Sequence, residues 1–163
     1  MRVRELDAGE TYLAYLALRE LRPARSQLRS PEVFVNWINT QQRPEGYRLV
    51  AAFDDAEGAA TTAVAAAGFR FLHTLAWGAY LYVDDLVTLP QYRGQGHAHA
   101  LLQWIEQEAE RLGCEQLHLD SGSQRHTAHR FYLNHGFDII AHHFKRDLHE
   151  QAADQERQVQ HGK

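Results

Sequence analysis

A mixed α/β domain is the fold class this sequence predicts, and three observations carry it. Apolar runs of strand length recur at 47–53, 60–72 and 79–89. Stretches with apolar residues at helical spacing lie between and beyond them, the longest over about 94–112. Proline and glycine mark the changes of period, at Pro23, Pro31, Gly46, Pro90, Gly113 and Gly136.

The elements follow in order. Arg2 to Leu6 alternates polar and apolar residues and reads as a first strand. Asp7 is placed to cap a helix whose stripe is Leu13, Leu16, Ala17 and Leu21. Pro23 ends or kinks that helix, and an Arg- and Ser-rich loop covers 22–30. Pro31 restarts a helix through about Gln41, with Val33, Phe34, Trp37 and Ile38 apolar. Tyr47–Phe53 and Ala60–Leu72 form a hairpin around Asp54-Asp55-Ala56-Glu57-Gly58. Alanine is a poor strand former, so hairpin context has to decide for the second of these. A turn at His73–Trp77 leads to a fourth strand, Ala79–Leu89, and Gly113 stops the long helix that follows it. Gln116–Leu119 is a fifth strand, His126–Asn134 a short helix, and Phe137–Leu148 a final strand or strand pair. The order is β-α-α-β-β-β-α-β-α-β. Residues 1–148 make one domain, and 149–163 a polar tail.

Composition narrows the function. With 163 residues, 44% hydrophobic and 23% charged, the chain is an ordinary soluble domain. A net charge of -4 lacks the basic excess of a nucleic-acid binder. The single cysteine, Cys114, forms no internal disulfide and fits a reducing compartment. No apolar leader or membrane-length run is present, so the expected location is cytoplasmic, with neither nucleic acid nor membrane as partner.

Gln91-Tyr92-Arg93-Gly94-Gln95-Gly96-His97-Ala98, between strand and helix, carries the most chemistry. Glycines at a helix mouth let a ligand approach the backbone. The unpaired first-turn N–H groups and the positive end of the dipole suit phosphate, and Arg93 adds a forked cation. The alternative is a tight turn with no guest. No Lys-Ser/Thr follows the glycines and the spacing is not G-x-G-x-x-G, which disfavours nucleotide triphosphatases and dinucleotide oxidoreductases.

The spacing of Gln91, Gly94 and Gly96 resembles the Q/R-x-x-G-x-G/A signature of the GNAT acyltransferases, which use acetyl-CoA. Asp85-Leu86-Val87-Thr88-Leu89-Pro90 precedes it, like the strand and proline that lead into that loop. Further on, Ala128 to Phe137 is similar to the family segment A-x-x-x-Y-x-x-x-G-F, with Tyr132 at its tyrosine. The resemblance implies a mixed, mostly antiparallel sheet of about six to seven strands with helices on both faces. It implies acetyl-CoA as co-substrate and no metal. Main-chain groups of Leu86, Val87 and Thr88 would meet the pantetheine arm. Amides of Gln91, Arg93, Gly94, Gln95, Gly96, His97 and Ala98 would hold the pyrophosphate. Arg125 stands where relatives often carry an Asn touching that arm, and it either makes the contact differently or faces the substrate.

The implied reaction is N-acetyl transfer to a primary amine of a small molecule or an amino-acid-like acceptor, by direct attack in a ternary complex. Tyr132 matches the family's proton donor; the alternative is a packed aromatic. For the base, Asp84 and Asp85 are the candidates. Neighbouring strand residues face opposite sides, so at most one is expected in the cleft. The acceptor site would be walled by the first two helices, the loop 22–30 and the turn near 73–78, with Arg25 and Arg29 placed to meet a carboxylate. Many relatives pair, which allows a homodimer. Among the eleven histidines, His126 and His129 share a helix face, but no carboxylate or cysteine joins them at metal-like spacing. The rival reading is a non-catalytic acyl-CoA sensor or interaction module.

Overall fold

The computed structural model describes residues 1–54 and 62–148. The hairpin turn expected after Asp54 and the tail expected from 149 lie outside the described residues. The described chain falls into two compact units, Met1–Leu119 and a second that begins at Asp120.

The first unit is a five-stranded sheet in the order β1-β2-β3-β4-β5. β1 (Arg2–Leu6), β2 (Arg48–Phe53), β3 (Ala65–Thr74) and β4 (Gly78–Thr88) pair antiparallel. β5 (Gln116–Leu119) joins β4 in parallel after the crossover helix α3 (His97–Arg111). The period of two along β2 divides the core between two faces. Leu49, Ala51 and Phe53 pack with Leu6, Leu18, Phe34 and Ile38, whereas Val50 and Ala52 pack with Phe69, Leu81, Leu101 and Ile105. A strand covered on both sides has no room for polar alternation, which explains the continuous apolar run. Ala65, Ala66 and Ala67 are fully buried in β3, so strand pairing and burial override alanine's weak strand preference.

One face of the sheet is covered by α1 (Tyr15–Leu21) and α2 (Pro31–Trp37), the other by α3. Asp7 caps the turn that opens the first helical stretch: its carboxylate accepts from the amides of Gly9 (2.8 Å) and Glu10 (3.1 Å). A 3-10 turn over Thr11–Ala14 then precedes α1. Ser30 caps α2 through the Val33 amide, with Pro31 in the first turn, where its missing N–H costs nothing. Beyond Trp37 the chain widens into a π-type turn, Ile38–Gln42, and tightens into Arg43–Glu45, so the expected helix to Gln41 is α-helical only as far as Trp37.

The second unit holds α4 (His126–Asn134), with the bounds the sequence predicts. The expected final strand does not form: 137–147 carry no regular secondary structure, and the sheet has five strands among the described residues instead of six to seven. A strand exists only where a partner ladder satisfies it, and apolar content alone does not provide one. Ile139, Ile140, Phe144 and Leu148 are all exposed. Side chains of this segment make polar contacts, His143 with Asp120 (2.7 Å) and Lys145 with Asp147 (3.2 Å).

Candidate functional site

The site in the first unit is organised by the C-terminal half of β4. Pairing with β5 runs from Tyr80 to Val83. β4 continues to Thr88, and among the described residues of this unit no strand pairs with Asp84–Thr88 on that side. The open edge leads straight into the glycine loop.

The loop is built from local bonds. Leu89 N–H donates to the Val64 carbonyl (2.9 Å), and a 3-10 turn over Pro90–Tyr92 uses the Tyr92 and Arg93 amides. Gly94 (φ 75°) and Gly96 (φ 87°) both adopt the left-handed region, where a side chain is strained. Gly96 is the N-terminal cap of α3 and provides no side chain to satisfy the first-turn amides, so those of His97 and Ala98 are left for a guest. His97 is buried, and its Nδ1 bonds the Tyr92 carbonyl (3.1 Å). Its ring braces the loop, and only its amide is placed for an anion. Gln95 folds back onto the Gln91 carbonyl (3.1 Å).

Arg93 is placed differently from the expected phosphate clamp. Its Nε donates to the Thr88 carbonyl (3.1 Å) and its Nη2 to Glu20 (3.1 Å), which ties the loop to α1. Its amide is spent in the 3-10 turn (3.3 Å to the Pro90 carbonyl). Leu86 and Val87 lie along the open stretch of β4. Next to them the Thr88 hydroxyl is the one buried side-chain polar atom among the described residues that lacks a hydrogen-bond partner.

The two carboxylates stand at a break in register. Gly68 of β3 faces Asp85 and Phe69 faces Val83, so Asp84 is the extra residue of a β-bulge. A bulge cancels the alternation of side chains. Asp84 and Asp85 therefore share one polar cluster, although neighbouring strand residues are expected on opposite sides. Asp84 Oδ2 accepts from Arg70 Nε (3.0 Å). Asp85 Oδ1 accepts from Arg22 Nε (2.7 Å), and its Oδ2 from the Tyr47 hydroxyl (3.0 Å). Arg22 Nη2 also donates to the Asp84 carbonyl (3.1 Å). The Arg70 guanidinium lies 5.4 Å from the centre of the Tyr47 ring. Burial raises the Asp84 pKa; the Arg70 charge opposes this and the Asp85 charge adds to it. The Tyr47 phenol is pushed well above its ordinary range by burial and then by Asp85.

Sequence reasoning missed Tyr47, Arg22, Arg70 and Gly68. Arg25 and Arg29, which it selected, are exposed in the loop, while Arg22 reaches the bulge. Pro23 was a usable signal: it ends α1 at Leu21, and Arg22 leaves the helix with φ -136° and ψ 59°.

In the second unit, Tyr132 lies on α4 between Phe131 and Phe137, with ring centres 5.5 and 5.7 Å away. Burial raises its pKa and the Arg125 charge pulls it down. Arg125 sits at the start of α4, its amide bonded to the Gly122 carbonyl (2.9 Å), and His129 Nε2 contacts the same carbonyl (2.9 Å). Among the described residues, no group of three or more His, Cys, Asp and Glu side chains is arranged to hold a metal ion, and no helix is long and apolar enough to cross a membrane.

Comparison with known proteins gives the context. Residues 12–137 match the acetyltransferase (GNAT) family. The aminoalkylphosphonate N-acetyltransferase of Salmonella typhimurium is 44% identical over 55 residues, which are 34% of this chain and 36% of that enzyme. The match therefore spans about a third of that relative. An uncharacterized N-acetyltransferase of Bacillus subtilis, YhdJ, is 31% identical over 130 residues, 77% of this chain and 88% of that one. The crystal structure of an acetyltransferase from Trypanosoma brucei shares the fold, with a TM-score of 0.72 at 23% identity over 90% of this chain and 99% of that one.

Proposed function

The chain belongs to the GNAT acetyltransferase family and is an acyltransferase, and on that premise we propose that it moves an acetyl group from acetyl-CoA to a primary amine of a small molecule or amino-acid-like acceptor. The observation that carries this reading is the open edge of β4 running into a glycine loop that caps α3. A strand edge offers main-chain donors and acceptors to an extended amide-bearing arm, and the helix mouth offers N–H groups to its phosphates.

Bound acetyl-CoA supplies an activated thioester carbonyl. The chain's own groups do the rest. Leu86 and Val87 offer main-chain groups to the pantetheine arm, and the amides of Gly94, Gln95, Gly96, His97 and Ala98 hold the pyrophosphate. An alkylamine has a pKa of about 10, so its ammonium must lose a proton before it can attack. The Asp84–Asp85 pair is where that proton goes. Tyr132, whose raised pKa keeps the phenol protonated at neutral pH, is the donor for the leaving sulfur. The Salmonella relative, named for a small amine with an anionic group, supports a small acceptor.

The test is calorimetric binding of acetyl-CoA, CoA and ADP, followed by thiol release with a panel of amines. Acetyl-CoA and CoA should bind more tightly than ADP, and at least one small amine should release thiol. Binding no stronger than that of ADP, or tight binding with no turnover on any amine, would sink the proposal.

A further inference from the structure

The proposed acetyl transfer uses the Asp84–Asp85 pair but leaves the residues around its bulge without a role. Gly68 faces Asp85 across the β3–β4 ladder. Tyr47 lies over Gly68 so closely that a Cβ there would overlap its hydroxyl and ring. Because residue 68 has no side chain, a phenol from the segment before β2 crosses β3 and reaches a carboxylate on β4. That carboxylate is held from the other side by Arg22 (2.7 Å), so both Asp85 oxygens are engaged. Among the described residues, the Asp84 carboxylate accepts from one side chain, through Arg70 Nε (3.0 Å). Arg70 is itself occupied by the Glu45 carbonyl (3.1 Å) and by Gln42. The charged and titratable groups facing the pair are thus Arg22 from the end of α1, Tyr47 from before β2, Arg70 from β3 and, behind it, Glu45.

We infer that Tyr47 is a positioning residue for acetyl transfer: with Arg22 it fixes Asp85 as the immobile anion of the bulge and leaves the Asp84 carboxylate to take the acceptor's proton. The inference rests on the acetyltransferase reading and assigns the base within it. The ammonium gives one proton to Asp84, which passes it to solvent. The freed lone pair forms the N–C bond, the C–S bond breaks, and the sulfur takes up a proton equal to the second one the nitrogen loses. Burial is the main reason the Asp84 pKa is raised, and the fixed negative charge of Asp85 adds to it against the pull of Arg70, which makes Asp84 a stronger base.

The experiment uses the full chain and two readouts. Tyr47→Phe keeps the ring over Gly68 and removes only the hydroxyl. Its kcat should fall about tenfold with the KM for acetyl-CoA unchanged. In the free protein, carbon-detected NMR of the side-chain carboxyls should show the Asp84 midpoint lower than in the parent, because the neighbouring charge is no longer fixed. In an Asp85→Asn background the same change should add little, since the anion it positions is gone. An unmoved Asp84 midpoint in a folded Tyr47→Phe protein overturns the inference, as does an equal loss of kcat in both backgrounds. A parent protein that transfers acetyl to no amine defeats the acetyltransferase proposal instead, and the NMR titration still decides the role of Tyr47.

Discussion

Tyr47 and Gly68 occupy each other's space: the phenol lies where a side chain at position 68 would stand. Gly68 faces Asp85 in the ladder, and Tyr47 donates to Asp85 at 3.0 Å. One missing Cβ therefore joins a residue before β2 to a carboxylate on β4.

Replacing Gly68 with Ala should cost about 1–3 kcal/mol through overlap in a packed region. A lower melting temperature and reduced turnover are expected together. Tyr47→Ala should cost less in the Gly68→Ala background than in the parent, because the first change has already displaced the ring. Additive losses in that cycle would show that the two residues are not coupled.

Gly96 poses a different constraint. Nothing lies within 4 Å of an added Cβ, so the demand comes from its φ of 87° alone. Gly96→Ala should destabilise by about 1–2 kcal/mol. Calorimetry should show weaker acetyl-CoA binding, because the cap that aims the α3 amides must shift. Unchanged affinity would remove those amides from the binding site.

Glu108 gives a pH dependence of stability. It is bonded to Arg111 (2.6 Å) and Arg48 (2.6 Å), which lower its pKa to about 2 against an ordinary 4.5. A carboxylate with a depressed folded pKa stabilises fully above its unfolded pKa and loses that contribution as pH falls through the folded one. Melting temperature should therefore drop between about pH 4.5 and 2 in the parent. Glu108→Gln should melt lower at pH 7, by about 3 °C or more, and should lose less across the acid window. Parallel curves for the two proteins would refute this.

Tyr132→Phe separates the enzyme from a passive acyl-CoA binder. Removing a proton donor should lower kcat by about a hundredfold or more, with acetyl-CoA affinity kept. In the parent, burial holds the phenol protonated to higher pH than usual, so the alkaline fall in rate should begin above the ordinary tyrosine range. Full activity in the Phe variant would assign Tyr132 to packing.

Local signals were legible in the chain. His126–Asn134 and Gln116–Leu119 formed with the predicted bounds, and the two glycines expected at the helix mouth stand there, at Gly94 and Gly96. Such features depend on residues adjacent in sequence, through backbone sterics, capping and period. The final strand was not legible, since 137–148 has the apolar content of a strand but no ladder to complete it. Arg93 was read as a phosphate ligand because it lies at a helix mouth, yet its guanidinium bridges Thr88 and Glu20.

By itself, then, the sequence determined the class of fold, the family signature and the strand–loop–helix on which the proposed acetyl-CoA site rests. Tertiary structure decided the environment of the two carboxylates. A bulge is a mismatch of register between strands, and it turned Asp84 and Asp85 into one cluster although their adjacency predicted opposite faces. Arg22, Tyr47 and Arg70 come to that cluster from three separate elements. No local pattern encodes such a meeting, because it exists only once the strands have paired and the end of α1 has packed beside them.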